Sequence, residues 1–289
     1  MCTAITYNSA SHYFGRNLDL EYHYDEKVTI CPHGYKFYFS NEGIVVHNYA
    51  IIGMAYVVDN YPLFYDAVNE KGLAMAGLRF QEYAFYGEKK DGMFNIAPYE
   101  FIPWILRQCR NIQEALIILK NTNVVNENFS ENLPASPLHW RISDKTGSVT
   151  VEVVKDGMKI YHNKVGVLTN NPCFEEQLSS LNSYTKLPGD FSSTSRFIKA
   201  AYVKRKSIDD GTESGGVNQF FHILSSVEMP KGCVRTEDEK VKYTIYSSCC
   251  DLDEIIYYYT TYEKKQPTAL RLFDNNLEGD ELIKFKLII

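Results

Sequence analysis

The segment CTAITYNSASHYFGRNLDL, residues 2–20, carries the clearest structural signal in the chain. Two stretches rich in β-branched and aromatic residues, 2–7 and 12–18, flank the turn-forming residues NSAS. This pattern predicts a β-hairpin. Pairing across one tight turn brings Arg16 and Asp19 close to Cys2 at little loop-closure cost. The chain is therefore expected to begin with a strand pair that carries a thiol, a guanidinium and a carboxylate.

Composition and charge exclude several classes of protein. The chain has 289 residues, of which 45% are hydrophobic, and it can bury a large core. Lys and Arg total 30 against 36 for Asp and Glu, without a basic stripe, which argues against nucleic acid as a partner. No apolar run is long enough to span a membrane, and the first residues lack the pattern of a signal peptide.

The seven cysteines predict a cytoplasmic protein with free thiols, because their number is odd and their spacing is irregular. Cys249 and Cys250 are adjacent in an apolar, aromatic-rich run and are expected to be buried core thiols rather than a redox pair. His139 and His222 also have apolar neighbours in sequence and are predicted to be hydrogen-bonded core residues. No G-x-S-x-G, Walker A or H-E-x-x-H motif is present.

Short β-rich segments separated by turns dominate the rest of the chain. Further strands are predicted within residues 49–59, 63–78, 138–144, 148–154, 158–163, 165–170, 243–250 and 255–262. Helices are predicted in two blocks, which lie between the groups of strands. This order favours mostly antiparallel sheets covered by helices over a doubly wound parallel sheet. No linker is long enough to separate two domains, so residues 1–289 are predicted to form one domain.

The helix signals have specific positions. In the first block, Pro98 suits a first helical turn, and Pro103 is expected to kink or break the helix after it. Asn111 is predicted to cap the next helix, whose apolar stripe is wide enough to pack on two sides. The second block is predicted to begin at residue 192 or 193, with residues 209–216 linking its two helices.

Cys2 has the chemistry of a nucleophile that carries its own base. If Met1 is removed, the α-amine and the thiol belong to one residue, and an α-amine has an ordinary pKa of about 8. Such a site needs a cation beside the sulfur and a carboxylate for the amine, which Arg16 and Asp19 can supply. Their odd spacing places them on opposite faces of a straight strand. From these residues alone, a packed and inert thiol remains the alternative.

Blocks along nearly the whole chain resemble the choloylglycine hydrolase family, which includes conjugated bile acid hydrolases and penicillin V acylases. The matching blocks are MCTAI, YFGRNLD, NEKGLAMAGL, PLHWRISD, VGVLTNNP, LPGDFSSTSRF, NQFFHILSSVEMPKG, YTIYSSCC and YYYTTYE. The resemblance implies an α+β fold, the four-layer αββα sandwich of the N-terminal nucleophile hydrolases, with two mostly antiparallel sheets. It also implies amide hydrolysis without a metal or a cofactor, after loss of Met1.

The resemblance assigns roles to five residues. Cys2 matches the nucleophile, whose α-amine serves as the base, Arg16 the arginine near the sulfur, and Asp19 the acid that anchors the amine. Asn170 matches an asparagine of the oxyanion hole, and Arg196 an arginine that braces the nucleophile's network. Two alternatives stay open, since Asn170 can merely cap a turn and Arg196 can form an ion pair on a helix surface.

Two departures from the family pattern bear on specificity and assembly. Arg79 stands where bile acid hydrolases usually have Asn and penicillin V acylases have Tyr. Its guanidinium can donate to an oxyanion and favour an anionic leaving group, or it can turn away into a surface ion pair. A long loop that helps relatives assemble as tetramers is absent between LNSYTK and LPGDF. A homo-oligomer is possible, but this absence argues against a tetramer.

The resemblance therefore implies a cytoplasmic bile salt hydrolase that releases glycine or taurine from conjugated bile acids. An apolar wall for the steroid is expected from Leu18, Tyr22, Tyr24, Val58, Tyr65, Phe129 and Leu133. A penicillin V acylase, or another N-acyl amide or lactone acylase, is the alternative within the same class. A non-catalytic ligand-binding protein on the same fold is the alternative from another class.

Overall fold

Nineteen β-strands and five α-helices form the regular structure of residues 1–46 and 48–289, the part of the chain that the computed structural model describes. The strands are β1 Cys2–Asn8, β2 His12–Leu20, β3 Lys27–Cys31, β4 Phe37–Phe39, β5 Gly43–Val45, β6 Ile51–Val58, β7 Tyr61–Asn69, β8 Ala74–Arg79, β9 Phe94–Ile96, β10 Thr122–Val124, β11 Leu138–Asp144, β12 Gly147–Val154, β13 Gly157–His162, β14 Val167–Leu168, β15 Val234–Arg235, β16 Val241–Asp251, β17 Ile256–Thr261, β18 Thr268–Arg271 and β19 Ile283–Lys286. The helices are α1 Phe101–Leu106, α2 Ile112–Leu119, α3 Phe174–Ser183, α4 Ser193–Lys206 and α5 Glu213–Ser225.

Most strands belong to two large antiparallel sheets. The first has the order β14-β1-β2-β16-β17-β18, with β15 paired to β16. The second has the order β13-β12-β11-β8-β7-β6-β3-β19. The short pairs β4–β5 and β9–β10 lie outside both sheets, and β9–β10 is parallel.

The two sheets pack face to face, with helices on their outer faces. Strands β1 and β2 contact β8 across the interface, α4 and α5 cover the first sheet, and α1 and α2 cover the second. One buried apolar cluster fills the space between the sheets and under α4 and α5, and another lies beneath α1 and α2. The predicted four-layer αββα architecture is confirmed.

The predicted hairpin forms β1 and β2, with residues 9–11 as its turn. Strand β2 is buried on both faces because β8 of the second sheet and α5 pack on it, and β16 pairs along its other edge. Gly15 permits this close approach, since a Cβ there would lie 2.9 Å from the Cα of Cys249 and would collide with the carbonyl oxygen of Ser248. The hairpin is therefore an interior part of the first sheet.

The first helical block differs from the prediction in two respects. Residues 98–100 form a single 3₁₀ turn, and Pro103 lies in the first turn of α1. A first turn needs no amide donor from proline, so Pro103 does not break the helix. Asn111 caps α2 by accepting a bond from the Glu114 amide at 3.0 Å, as predicted. Packing on two sides is wrong, because Ile117 is 61% exposed.

The second helical block and its surroundings also differ from the prediction. Helix α3 was not predicted, and Glu175 and Glu176 are solvated residues of its first turn. Thr212 caps α5, so the helix includes residues 213–216 of the predicted linker. The prediction of a core position for His222 is wrong, because this residue lies on the exposed face of α5. In the described residues, no helix has the length and apolar character needed to cross a membrane.

Candidate active site

Strand pairing places Arg16 on the same face as the Cys2 side chain. Cys2 lies opposite Leu18 in the β1–β2 ladder, and Arg16 is two residues from Leu18 on β2. The guanidinium points toward the second sheet, where Nη1 donates to the carbonyls of Tyr65 at 2.9 Å and Gly77 at 2.6 Å. Tyr65 is the extra residue of a bulge in β7, and Arg16 ties this bulge to β8.

Asp19 lies on the opposite face of β2, as its odd spacing from Arg16 predicts. Its Oδ1 accepts a hydrogen bond from Thr244 Oγ1 at 2.6 Å, and its Oδ2 is 3.9 Å from Arg196 Nη1. The two charged groups reach Cys2 from different directions without a bend in the strand. Arg16 shares the face of the thiol, whereas Asp19 lies beside the backbone at the start of β1.

Met1 extends the pairing of β1 with β2 by one residue. Its α-amine donates to the Asp19 carbonyl at 2.6 Å, and its own carbonyl accepts from the Asp19 amide at 2.9 Å. Burial lowers the pKa of this α-amine below its ordinary value. Asp19 Oδ2 is buried and has no hydrogen-bond partner among the described residues. A carboxylate oxygen is thus left unsatisfied next to the amino terminus.

Arg196, from the first turn of α4, joins the segments around Cys2. Its Nη1 donates to the Cys2 carbonyl at 2.5 Å and to Thr3 Oγ1 at 2.7 Å, and its Nη2 donates to Asn170 Oδ1 at 2.8 Å. Arg196 is 1% exposed, and burial lowers the pKa of its guanidinium. The alternative of an ion pair on the surface of the helix is therefore wrong.

Asn170 follows β14 and holds the backbone nitrogen of Cys2. Its Oδ1 accepts from that nitrogen at 2.7 Å, and its Nδ2 donates to the Arg79 carbonyl at 2.8 Å. Its own amide donates to Ser193 Oγ at 2.8 Å. The alternative of a mere turn cap is wrong, because this side chain bridges β1, β8 and α4.

Arg79, at the end of β8, contributes its carbonyl to this arrangement and leaves its side chain exposed. The guanidinium forms no ion pair with any residue in 1–46 or 48–289. The expected alternative of a surface ion pair is therefore not seen in the described chain. Because the Arg79 carbonyl accepts this hydrogen bond, the backbone of Arg79 lies beside the side-chain amide nitrogen of Asn170.

Two further groups that position Asn170 were missed or only partly recognised in the sequence. Gln177 of α3 donates to the Asn170 carbonyl at 2.6 Å and accepts from Thr169 Oγ1 at 3.0 Å. His139 is buried, with Nε2 2.8 Å from the Thr169 carbonyl and Nδ1 3.2 Å from Glu152 Oε1. The prediction of a hydrogen-bonded core histidine is confirmed for His139.

Arg16 has an acidic neighbour that the sequence did not reveal. Asp66 is fully buried in β7 and accepts hydrogen bonds from Tyr246 Oη at 2.5 Å, Ser248 Oγ at 2.8 Å and Tyr257 Oη at 2.8 Å. Burial alone would lower the pKa of Arg16, but the nearby charges, first that of Cys2 and then others including Asp66, raise it. The guanidinium is therefore held as a cation between the sheets.

The residues predicted to form an apolar wall occupy three places. Leu18 is buried opposite Cys2, and the Tyr65 carbonyl contacts Arg16. The Tyr22 and Tyr24 rings lie 4.8 Å apart, with Tyr24 next to the β6–β7 hairpin.

Val58 pairs with Tyr61 in that hairpin, and Phe129 packs on the Tyr61 ring with 5.7 Å between centroids. The Phe129 amide donates to the Leu133 carbonyl at 3.0 Å. The structure thus brings Leu18 and the Tyr65 backbone to the Cys2–Arg16 face. Val58 and Phe129 lie beside Tyr61, and Leu133 is joined to Phe129 through the backbone.

Sequence comparison relates the chain to amide hydrolases. The family described as linear amide C–N hydrolases, choloylglycine hydrolase family, matches residues 2–187 and 185–285. A bile salt hydrolase/transferase from Lactiplantibacillus plantarum is 48% identical, over 99% of this chain and 97% of that protein.

Two solved structures share the fold over more than nine tenths of their length. A cysteine-to-alanine variant of conjugated bile acid hydrolase from Clostridium perfringens has a TM-score of 0.93 and 36% identity, with 100% of this chain and 97% of that chain covered. Penicillin V acylase from Agrobacterium tumefaciens has a TM-score of 0.83 and 20% identity, covering 99% and 91%. The second structure supports the fold alone.

Proposed function

The chain belongs to the choloylglycine hydrolase family of linear amide C–N hydrolases, and we propose that it cleaves conjugated bile acids with Cys2 as the nucleophile. As a member of this family it is an amidohydrolase, which argues against a non-catalytic binding protein. The geometry that carries the proposal is the arrangement of four side chains around Cys2. Asn170 and Arg196 form hydrogen bonds with its backbone, Arg16 shares the face of its thiol, and Asp19 lies beside Arg196.

Loss of Met1 is the proposed activating step. The nitrogen of Cys2 would then be an amine, with hydrogens for Asn170 Oδ1, which it already contacts, and for the unsatisfied Asp19 Oδ2. Cys2 is only 3% exposed, and burial disfavours the charged form of an amine. A neutral amine at neutral pH can take the thiol proton.

The proposed reaction has two steps. The Cys2 amine takes the thiol proton, and the sulfur bonds to the amide carbonyl carbon, whose π electrons move onto oxygen. The second hydrogen of Asn170 Nδ2, not the one donated to Arg79, stabilises this oxyanion. The C–N bond then breaks, and the ammonium of Cys2 gives its proton to the departing glycine or taurine nitrogen.

Water completes the cycle by attacking the thioester carbon while the Cys2 amine takes one of its protons. The C–S bond breaks, the free bile acid leaves, and the thiol regains a proton. An amine can attack the same thioester in place of water, which would return an amide. We propose this transfer as a second outcome because the relative from Lactiplantibacillus plantarum is named a hydrolase/transferase.

Substrate selection is proposed to depend on the apolar residues and on Arg79. Leu18 and Tyr65 lie closest to the thiol face, and Tyr22 and Tyr24 provide aromatic surface beyond the end of β2. The exposed Arg79 side chain begins beside the oxyanion donor and can attract an anionic leaving group. Val58, Phe129 and Leu133 would contact the far end of the steroid.

The state of the working enzyme is part of the proposal. We propose that residues 2–289 act as one domain in the cytoplasm, with no metal or cofactor and no nucleic-acid partner. We propose that any homo-oligomer differs from the tetramer of relatives, since the chain lacks the long loop between LNSYTK and LPGDF. Light scattering on the purified protein would measure the assembly.

The deciding experiment is an assay for free glycine and taurine from glycocholate and taurocholate. Intact mass should first show loss of Met1 from the purified protein. Protein with a free Cys2 that releases neither amino acid would overturn the substrate assignment. Penicillin V, assayed in parallel, distinguishes the alternative, because a higher kcat/KM for it than for glycocholate would indicate an acylase.

A further inference from the structure

A cavity of about 890 Å³ lies at the opposite end of β1 from Cys2. Its walls come from the end of β1, the β11–β12 turn, the segment 162–166, the end of α3 and the last turns of α4. With a rise of about 3.3 Å per strand residue, Cys2 and Tyr7 are separated by roughly 17 Å. This cavity is therefore distinct from the site around the thiol.

The walls of this cavity are strongly basic, although the whole chain has a net charge of −6. Four cations, Lys145, Lys164, Lys204 and Arg205, line it beside a single carboxylate, that of Asp144. Within residues 1–46 and 48–289, none of the four cations forms an ion pair. An excess of positive charge thus surrounds the space.

The one carboxylate does not neutralise these cations, because Asp144 has a structural role. Its Oδ2 accepts from the Ile112 amide at 2.8 Å, at the start of α2. Its Oδ1 accepts from the Thr146 amide at 2.7 Å and from the Thr146 hydroxyl at 2.6 Å, which closes the β11–β12 turn. Both oxygens are occupied by neutral donors.

Two cations converge at Gly166 on the wall of the cavity. A Cβ at Gly166, whose φ is +67°, would collide with Lys204 Nζ and Thr6 Oγ1 and would lie 3.4 Å from Arg141 Nη2. Lys204 Nζ donates to the Val165 carbonyl at 2.8 Å, and Arg141 Nη2 donates to Thr6 Oγ1 at 2.9 Å. Ammonium and guanidinium therefore lie side by side with only neutral acceptors.

The pKa values of these groups reflect the missing negative charge. Burial, and then the charge of Arg141, lower the pKa of Lys204 to about 8. Burial lowers the pKa of Arg141 to about 9, and its Nε has no hydrogen-bond partner among the described residues. A buried guanidinium and a half-buried ammonium without a counter-ion are unfavourable, and a bound anion would relieve this cost.

We propose that this cavity binds an organic anion, with a sulfonate, carboxylate or phosphate head at the cations and an apolar or aromatic body against the tyrosines. Tyr7, Tyr184 and Tyr202, with Leu181, line the part of the wall available to that body. The volume lies within the range of small-molecule sites, about 300–1,000 Å³, and is larger than one oxyanion needs. The inference does not depend on the chemistry proposed for Cys2.

The test uses the full chain with Cys2→Ala, so that no probe is consumed. Taurocholate, adenosine monophosphate and inorganic phosphate are titrated by calorimetry into this protein and into two double variants of it. One variant, Lys145→Gln with Lys164→Gln, removes exposed charge from the cavity. The matched control, Lys120→Gln with Lys155→Gln, removes exposed charge elsewhere. At least one organic anion should bind about five- to tenfold more weakly to the cavity variant than to the control.

Lysine acetylation read by mass spectrometry locates the binding. The anion that binds should protect Lys145 and Lys164 and leave Lys120 and Lys155 unprotected. If taurocholate binds more weakly to the cavity variant than to the control, the ligand has a steroid body. If adenosine monophosphate does so, the ligand has a nucleotide-like body. Equal affinities in the two double variants would overturn the proposal, as would inorganic phosphate binding as tightly as both organic anions.

Discussion

The two ends of β1 hold buried arginines in opposite electrostatic settings. At the Cys2 end, Arg16 donates to backbone carbonyls, and nearby acidic groups that include Cys2 and Asp66 raise its pKa. At the other end, Arg141 donates to Ala4, Thr6 and Ser148 without an anionic partner, and its pKa is lowered to about 9. The first end has acidic groups near its arginine that can balance the charge, whereas the second has no acidic group in hydrogen-bond contact with its arginine. Two equally buried arginines can therefore differ in whether the protein itself supplies acidic groups near the guanidinium.

Replacement of Cys2 tests whether the balanced end is the reacting one. Cys2→Ala should lower turnover of glycocholate by at least about 10⁴-fold, because no other group can form the thioester. Cys233→Ala, which removes an exposed thiol, should retain full turnover. Amino acid release measures both variants, and thermal unfolding confirms the fold. Activity retained by Cys2→Ala would place the chemistry elsewhere.

The acidic side of that end is tested by Asp19→Asn. Turnover should fall by about 10²-fold, because a neutral amide cannot balance the Cys2 ammonium. Asp280→Asn, on an exposed loop, is the matched control and should have wild-type turnover. Steady-state kinetics are compared after intact mass shows that Met1 has been removed from both proteins. Equal turnover in the two variants would contradict the anchoring role of Asp19.

The contribution of Asp66 to the balance around Arg16 is expected to be smaller. Asp66→Asn should lower kcat by about tenfold and the free energy of unfolding by about 1–3 kcal/mol. The reason is that one carboxylate oxygen, which accepts hydrogen bonds from hydroxyl groups, is replaced by an amide nitrogen that can only donate. Urea unfolding and turnover measure the two effects. A variant that loses stability but keeps kcat would show that Asp66 supports the sheets without affecting Arg16.

The smallest expected effect concerns Lys204, at the end of β1 far from Cys2. It should appear in the pH dependence of the free energy of unfolding. The folded-state pKa of Lys204, about 8, is below its ordinary 10.5, so between these values the unfolded chain binds more protons. The free energy of unfolding should therefore rise with pH across this window, relative to Lys204→Met. Urea unfolding of both proteins below and above pH 8 measures the difference. A difference that does not change with pH would mean that Lys204 is fully solvated.

The sequence predicted the parts of the site that depend on local pattern or on the family match. The hairpin followed from its turn residues, which placed Arg16 and Asp19 beside Cys2. The resemblance to the family identified Asn170 and Arg196. That both side chains contact the backbone of Cys2 became visible only in the folded structure. The buried bonds of Arg196 could not be predicted, because they depend on the packing of α4 against β1.

The missed elements lack the local signals on which prediction depends. Helix α3 buries only Phe174 and Gln177, so it has no apolar stripe. Asp66 occurs in an apolar strand, and its hydroxyl partners come from the distant strand pair β16–β17. Ile117 and His222 were wrongly assigned to the interior because apolar neighbours in sequence do not show which face of a helix is covered.

If Met1 is removed as proposed, its pairing with Asp19 limits when that removal can occur. The first amine is buried and hydrogen-bonded within the hairpin, so an aminopeptidase would have little access to it after folding. The proposed trimming must therefore occur while the nascent chain is still leaving the ribosome. Molecules that fold before trimming would accumulate as a latent population, and the active yield would depend on the cell's aminopeptidase supply.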